Sequence, residues 1–82
     1  MNRNYQIILA LLQKSKREIE IQSEDFDFVS LMNIASKLRE TDRVVTLVVG
    51  DNLTALMLDS LVSASADHFN IKFSQPSKHM PN

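Results

Sequence analysis

Apolar and polar positions fall into six blocks along the chain, three with a helical period and three with a strand period. From Tyr5 to about Arg17, Ile8, Leu9, Leu11 and Leu12 mark one side of a helix, with Asn4 as its N-cap. Lys14, Lys16 and Arg17 gather in its last turn, where positive charge complements the partial negative charge of a helix end. Glu18-Ile19-Glu20-Ile21-Gln22 then alternates strictly, the signature of a short strand with one apolar face.

Ser23 to Phe28 admits two readings. Phe26 and Phe28 extend the alternation, as a hairpin would. Phe28, Leu31, Met32, Ala35 and Leu38 instead follow a helical period, and Asp25 and Asp27 put acid where a helix begins. The second reading is preferred, giving a helix over residues 26–40 that closes near Thr41-Asp42.

Residues 44–49, VVTLVV, form an unbroken and mostly β-branched run that Gly50 stops. Branched side chains are stiff at χ1 and suit a pleated sheet. Apolar residues lie on both faces, Val45, Leu47 and Val49 on one and Val44 and Val48 on the other, which is the habit of a central parallel strand. Gly50-Asp51-Asn52 makes a turn, with Asp51 or Asn52 able to cap the next helix. Leu53, Leu56, Met57, Leu61 and Ala64, widened by Leu58, Val62 and Ala66, predict that third helix as a broadly apolar one. His68 falls near its end, Asn70 suits a left-handed residue just beyond it, and Ile71 and Phe73 open a last strand.

The order helix-strand-helix-strand-helix-strand is that of a small single α/β domain. Right-handed crossovers about a central second strand give a three-stranded, mostly parallel sheet of order 1-2-3 with helices two and three on one face. Helix one is expected on the other face, covering it in part. A second copy or a different protein could cover the remainder.

Length and composition fit this picture. At 82 residues the chain holds one modest core, expected over 1–74. Residues 75–82, with two prolines, one serine and no periodicity, are expected to form a flexible tail. A formal charge of −1 speaks against binding nucleic acid or membrane by bulk charge. The chain has no cysteine, which excludes disulfides and thiolate metal sites. No stretch approaches the roughly 20 apolar residues of a membrane span. A cytoplasmic protein with no membrane partner is therefore expected.

Candidate chemistry is sparse. Ligands of parallel sheets favour the carboxyl ends of the strands, where Glu24, Asp25 and Asp51 could hold magnesium through oxygen ligands. The simpler reading makes Asp25, Asp51 and Asn52 helix caps and leaves Glu24 solvated. One glycine in the chain excludes a glycine-rich phosphate cradle. His68 and His79 have no partners at metal-ligand spacing, and no serine sits in a nucleophile elbow.

The sequence thus points away from catalysis and cofactors, and toward a protein-interaction or self-associating accessory module. Its partner would be a second copy, as a dimer, or another protein. The candidate interface is Val44, Thr46 and Val48 on the second sheet face, with Met57, Ser60 and Ala64 on helix three. The alternative is a nucleic-acid-binding accessory protein with Lys14, Lys16 and Arg17 on phosphates. Glu18, Glu20, Glu24, Asp25 and Asp27, which come immediately after, oppose that reading.

Overall fold

The computed structural model describes residues 3–74. Its elements run α1 (Arg3–Lys14), β1 (Ile19–Gln22), a single 3₁₀ turn (Ser23–Asp25), α2 (Phe28–Thr41), β2 (Val45–Val49), α3 (Ala55–Ala64) and β3 (Phe69–Phe73). The strands form one parallel sheet in the order β1-β2-β3. This is the expected small α/β architecture. The expected tail, 75–82, lies outside the described residues.

Residues 23–28 resolve the ambiguity between hairpin and helix. A 3₁₀ turn ends the strand, Phe26 is extended and buried, and α2 begins at Phe28. The cap is Asp27, whose carboxylate accepts from the Ser30 N–H at 2.7 Å. That bond, followed by one from the Ser30 hydroxyl, holds the Asp27 carboxyl below its ordinary pKa. α3 is likewise capped by Thr54, whose hydroxyl accepts from the Met57 N–H at 3.1 Å, and not by Asp51 or Asn52. Asn4 lies inside α1 and its Nδ2 donates to the Asp25 carbonyl at 3.3 Å.

The register aligns Ile19, Val45 and Phe69 across the sheet, then Ile21, Leu47 and Ile71. These residues share one face with the helices. There they join Leu31, Ile34, Ala35 and Leu38 of α2 and Leu61 of α3 in a single core. Leu31, Ile34, Leu38, Val45, Leu47 and Leu61 are wholly buried.

The position of α1 corrects the expectation drawn from alternation. Its buried residues, Ile8 and Leu12, belong to that same core cluster, and the helix lies against α2. All three helices therefore sit on one face of the sheet. Three helices spaced 8–10 Å apart are wider than three strands spaced about 4.8 Å apart, so α1 can shield the β1 side without crossing to the far face. The opposite face carries Glu20, Gln22, Thr46, Val48, Asn70 and Lys72, with Val44 just ahead of β2. None of these joins the helix-side core, and α1 reaches only the β1 edge of this face, where Ile7 and Ile8 line a small cavity with Glu20 and Gln22.

Only one glycine is present, so the turns at the amino ends of β2 and β3 use other residues in the left-handed region. These are Asp42 (φ 57°), Ala66 (φ 52°) and Asp67 (φ 66°). Asn70, expected in that role, is part of β3.

Candidate functional site

Four groups of residues merit a site reading: the carboxyl-end rim of the sheet, the uncovered sheet face, the outer side of α3, and the loop after α1.

The rim is closed by its own hydrogen bonds. Ser23 is wholly buried, and its hydroxyl donates to Asn52 Oδ1 at 2.7 Å while accepting from the Gly50 N–H at 2.8 Å. Asn52 Nδ2 donates back to the Ser23 carbonyl at 2.9 Å. The Glu24 carboxylate accepts from the Asp51 N–H at 3.2 Å, and it lies so close to Gly50 that a methyl group there would displace it. Asn52 and Glu24 thus lock the loop after β2 to the loop after β1. Among the described residues, no three His, Cys, Asp or Glu side chains gather closely enough to hold a metal.

The uncovered face brings Val44, Thr46 and Val48 together in a row along the central strand. Val44 is 57% exposed, Thr46 is half-buried, and Val48 is buried although it is not part of the helix-side core. Gln22 of β1 and Lys72 of β3 flank Val48 in register. Lys72 Nζ lies 3.9 Å from Glu20 Oε1, so the pair spans the sheet from β3 to β1 above the central strand. Asn70 Nδ2 also donates to Thr46 Oγ1 at 3.2 Å. Long charged side chains cover apolar surface with their stems while their heads stay in water.

Met57, Ser60 and Ala64 belong to α3, on the other side of the sheet. α3 leans against α2, Ala64 packs on the core, Met57 is half-buried and Ser60 is exposed. The six candidate interface residues therefore form two separate surfaces. The outer side of α3 also shows Leu56, 82% exposed, and Phe73 at the end of β3 is 67% exposed.

Lys14 at the end of α1 and Lys16 and Arg17 in the loop after it are all exposed. The structure adds Arg43, which nothing in the sequence singles out. Its Nη1 donates to the Leu12 carbonyl at 2.6 Å and its Nη2 to the Arg17 carbonyl at 3.4 Å. The guanidinium thereby caps the carbonyl end of α1 and ties the basic loop to the start of β2. A cleft of about 400 Å³ opens here, lined by Lys14, Ser15, Lys16, Thr41 and Arg43 with Leu12 at its base.

His68 is also placed unexpectedly. It lies beyond α3 and links two loops at the amino end of the sheet. Nε2–H donates to Asp42 Oδ1 at 2.6 Å, and Nδ1 faces the Ser65 carbonyl at 2.7 Å. With both ring nitrogens facing acceptors, the imidazolium satisfies both. Asp42 first and Ser65 second raise the His68 pKa above its ordinary value.

No helix among the described residues is long and apolar enough to cross a membrane. No family model, curated protein or solved structure matches this chain.

Proposed function

We propose that the chain is a protein-interaction module that associates with a second copy of itself through the uncovered sheet face. The observation that carries this reading is a wholly parallel sheet with all its helices on one side. Parallel sheets are found almost only with both faces covered. The pattern on the face supports the same reading. Valines lie along the centre and Glu20, Gln22, Asn70 and Lys72 at the sides, which matches an interface with an apolar centre and a polar rim.

Charge selects the arrangement. A twofold axis parallel to the strands stacks β1 of one copy over β3 of the other. This sets Glu20 level with the second copy's Asn70 and two residues from its Lys72, within reach of the long lysine side chain, twice over. An axis across the strands would stack β1 on β1 and oppose like charges. The three-stranded face measures roughly 15 by 14 Å, well short of the ~800 Å² per partner of a standard interface. The association is accordingly weak and concentration-dependent.

Charge exchange tests it. In sedimentation experiments, Glu20→Lys alone and Lys72→Glu alone should each weaken association. Mixing the two variants should restore it, because each lysine then meets a glutamate of the other chain. Two variants that associate no better together than apart would refute the arrangement.

A further inference from the structure

We infer that the cleft between the end of α1 and the start of β2 is a receptor for a phosphate group, with Lys14, Lys16 and Arg43 as its cationic walls. This cleft is separate from the self-association surface, since it lies on neither the uncovered face nor the outer side of α3.

Charge is the first ground. Three of the residues lining the cleft are cations and none is a carboxylate, in a chain whose formal net charge is −1. The salt bridges among the described residues, Lys37–Glu40, His68–Asp42 and Lys72–Glu20, engage none of these three. Cations grouped in one concavity without an acid attract anions more strongly than the same charges scattered over a surface.

Preorganisation is the second ground. Arg43 is held by main-chain carbonyls of both Leu12 and Arg17, so its charge is fixed at the mouth of the cleft without being neutralised by an acid. Each of the two terminal guanidinium nitrogens spends one N–H on a carbonyl and keeps a second, which a phosphate oxygen can accept. These bonds offset the partial negative charge at the end of α1, which would otherwise repel an anion.

Hydrogen-bonding capacity is the third. The Ser15 hydroxyl accepts from the Arg17 N–H at 3.2 Å, which leaves its own O–H to donate into the cleft. Thr41 has already committed its O–H to the Lys37 carbonyl at 2.8 Å, so Ser15 is the better placed of the two hydroxyls. A volume of about 400 Å³ falls in the ordinary range for small-ligand clefts and exceeds what one phosphate needs. The remainder of the ligand extends outward, as the sugar of a nucleotide or the next unit of a nucleic-acid strand.

The set differs from the one the sequence suggests. Arg17 is drawn in through its carbonyl and does not line the cleft, and Arg43 takes its place. The acidic run that opposed phosphate binding is also divided. Asp25 and Asp27 lie at the carboxyl end of β1, away from the cleft beside its amino end.

The test is a ¹H–¹⁵N titration at low salt with two probes, sodium tripolyphosphate and a short DNA duplex. Tripolyphosphate should shift the amides of Lys14, Ser15, Lys16, Thr41 and Arg43 saturably. The double variant Lys14→Ala, Lys16→Ala should bind about tenfold or more weakly. Both side chains are exposed, so an unchanged thermal melt separates lost binding from lost folding. Arg43→Lys keeps the charge but loses the guanidinium, and should weaken binding less than the double variant.

The duplex arm identifies the source of the phosphate. Tighter binding of duplex than of tripolyphosphate, with a salt slope that falls by about one for each lysine removed, assigns a nucleic-acid backbone. Duplex binding no tighter than tripolyphosphate assigns a small phosphorylated molecule. Shifts absent for both probes, or undiminished in the folded double variant, would overturn the inference.

Discussion

The two faces of the sheet are made by alternate residues of the same three strands, yet they meet different environments. One face presents Ile19, Ile21, Val45, Leu47, Val49, Phe69 and Ile71 to three helices. The other presents Glu20, Gln22, Thr46, Val48, Asn70 and Lys72, none of which joins the helix-side core. Strand twist, hydrogen bonding and backbone are shared, so the difference lies in the side chains. The covered face carries the burial that holds the fold together. The uncovered face retains valine only on the central strand, more apolar than a purely solvated face requires and more polar than a core.

The sharpest way to break this contrast is on the covered side. Leu47 is fully buried at the centre of the core, so Leu47→Ala should cost about 2–5 kcal/mol, read from the urea midpoint. A loss below about 1 kcal/mol would show that the helix-side face is not the main source of stability.

The latch at the end of the strands comes next. Ser23→Ala removes the hydroxyl that joins Gly50 to Asn52 and leaves their polar groups unsatisfied. The expected cost is about 1–3 kcal/mol. Hydrogen exchange at the Gly50 and Asp51 amides should quicken more than exchange in β2. A uniform change across the molecule would mean that the two loops are not specifically latched.

The amino end of the sheet supplies a pH test. The His68 pKa is raised in the folded chain, above about 6.5 for the unfolded one. Its contribution to stability is therefore complete below about pH 6.5 and is lost as pH rises through the raised value. The pair is largely exposed on the Asp42 side, so the effect is small. Asp42→Asn should flatten the melting temperature across that window, and an unaltered pH profile would mean that the His68–Asp42 link contributes nothing to stability.

On the uncovered face the smallest effect on the monomer is expected. Val44→Lys alters an exposed side chain and should leave monomer stability within about 0.5 kcal/mol, measured by denaturation at high dilution. A larger loss would mean that Val44 is held by contacts within its own chain.

Much of this architecture was legible in the sequence because its strands carry clear periods. The β-branched run before Gly50 marked β2, and strict alternation marked β1. Element order with right-handed crossovers then led to the 1-2-3 sheet. The side taken by α1 was not legible. A leading helix has no crossover to constrain it, so only the contacts of Ile8 and Leu12 decide.

The caps shifted for a local reason. Several oxygen-bearing residues stood in line before each helix, and the extended backbone at Asp27 and Thr54, not residue type, picked the one that bonds. Val44, Thr46 and Val48 were legible as one face. Arg43 was not, because an arginine ahead of an apolar strand gives no sign that it will reach the carbonyl end of a helix 31 residues earlier.

The central claim is that the uncovered face takes a second copy, and light scattering at low and high concentration measures it most directly. The expected mass is near the single-chain 9.3 kDa in dilute solution and rises toward twice that value on concentration, while a Val44→Lys variant stays at the single-chain mass throughout. A wild-type chain that remains at 9.3 kDa at high concentration, or a Val44→Lys variant that associates as well as the wild type, would contradict it.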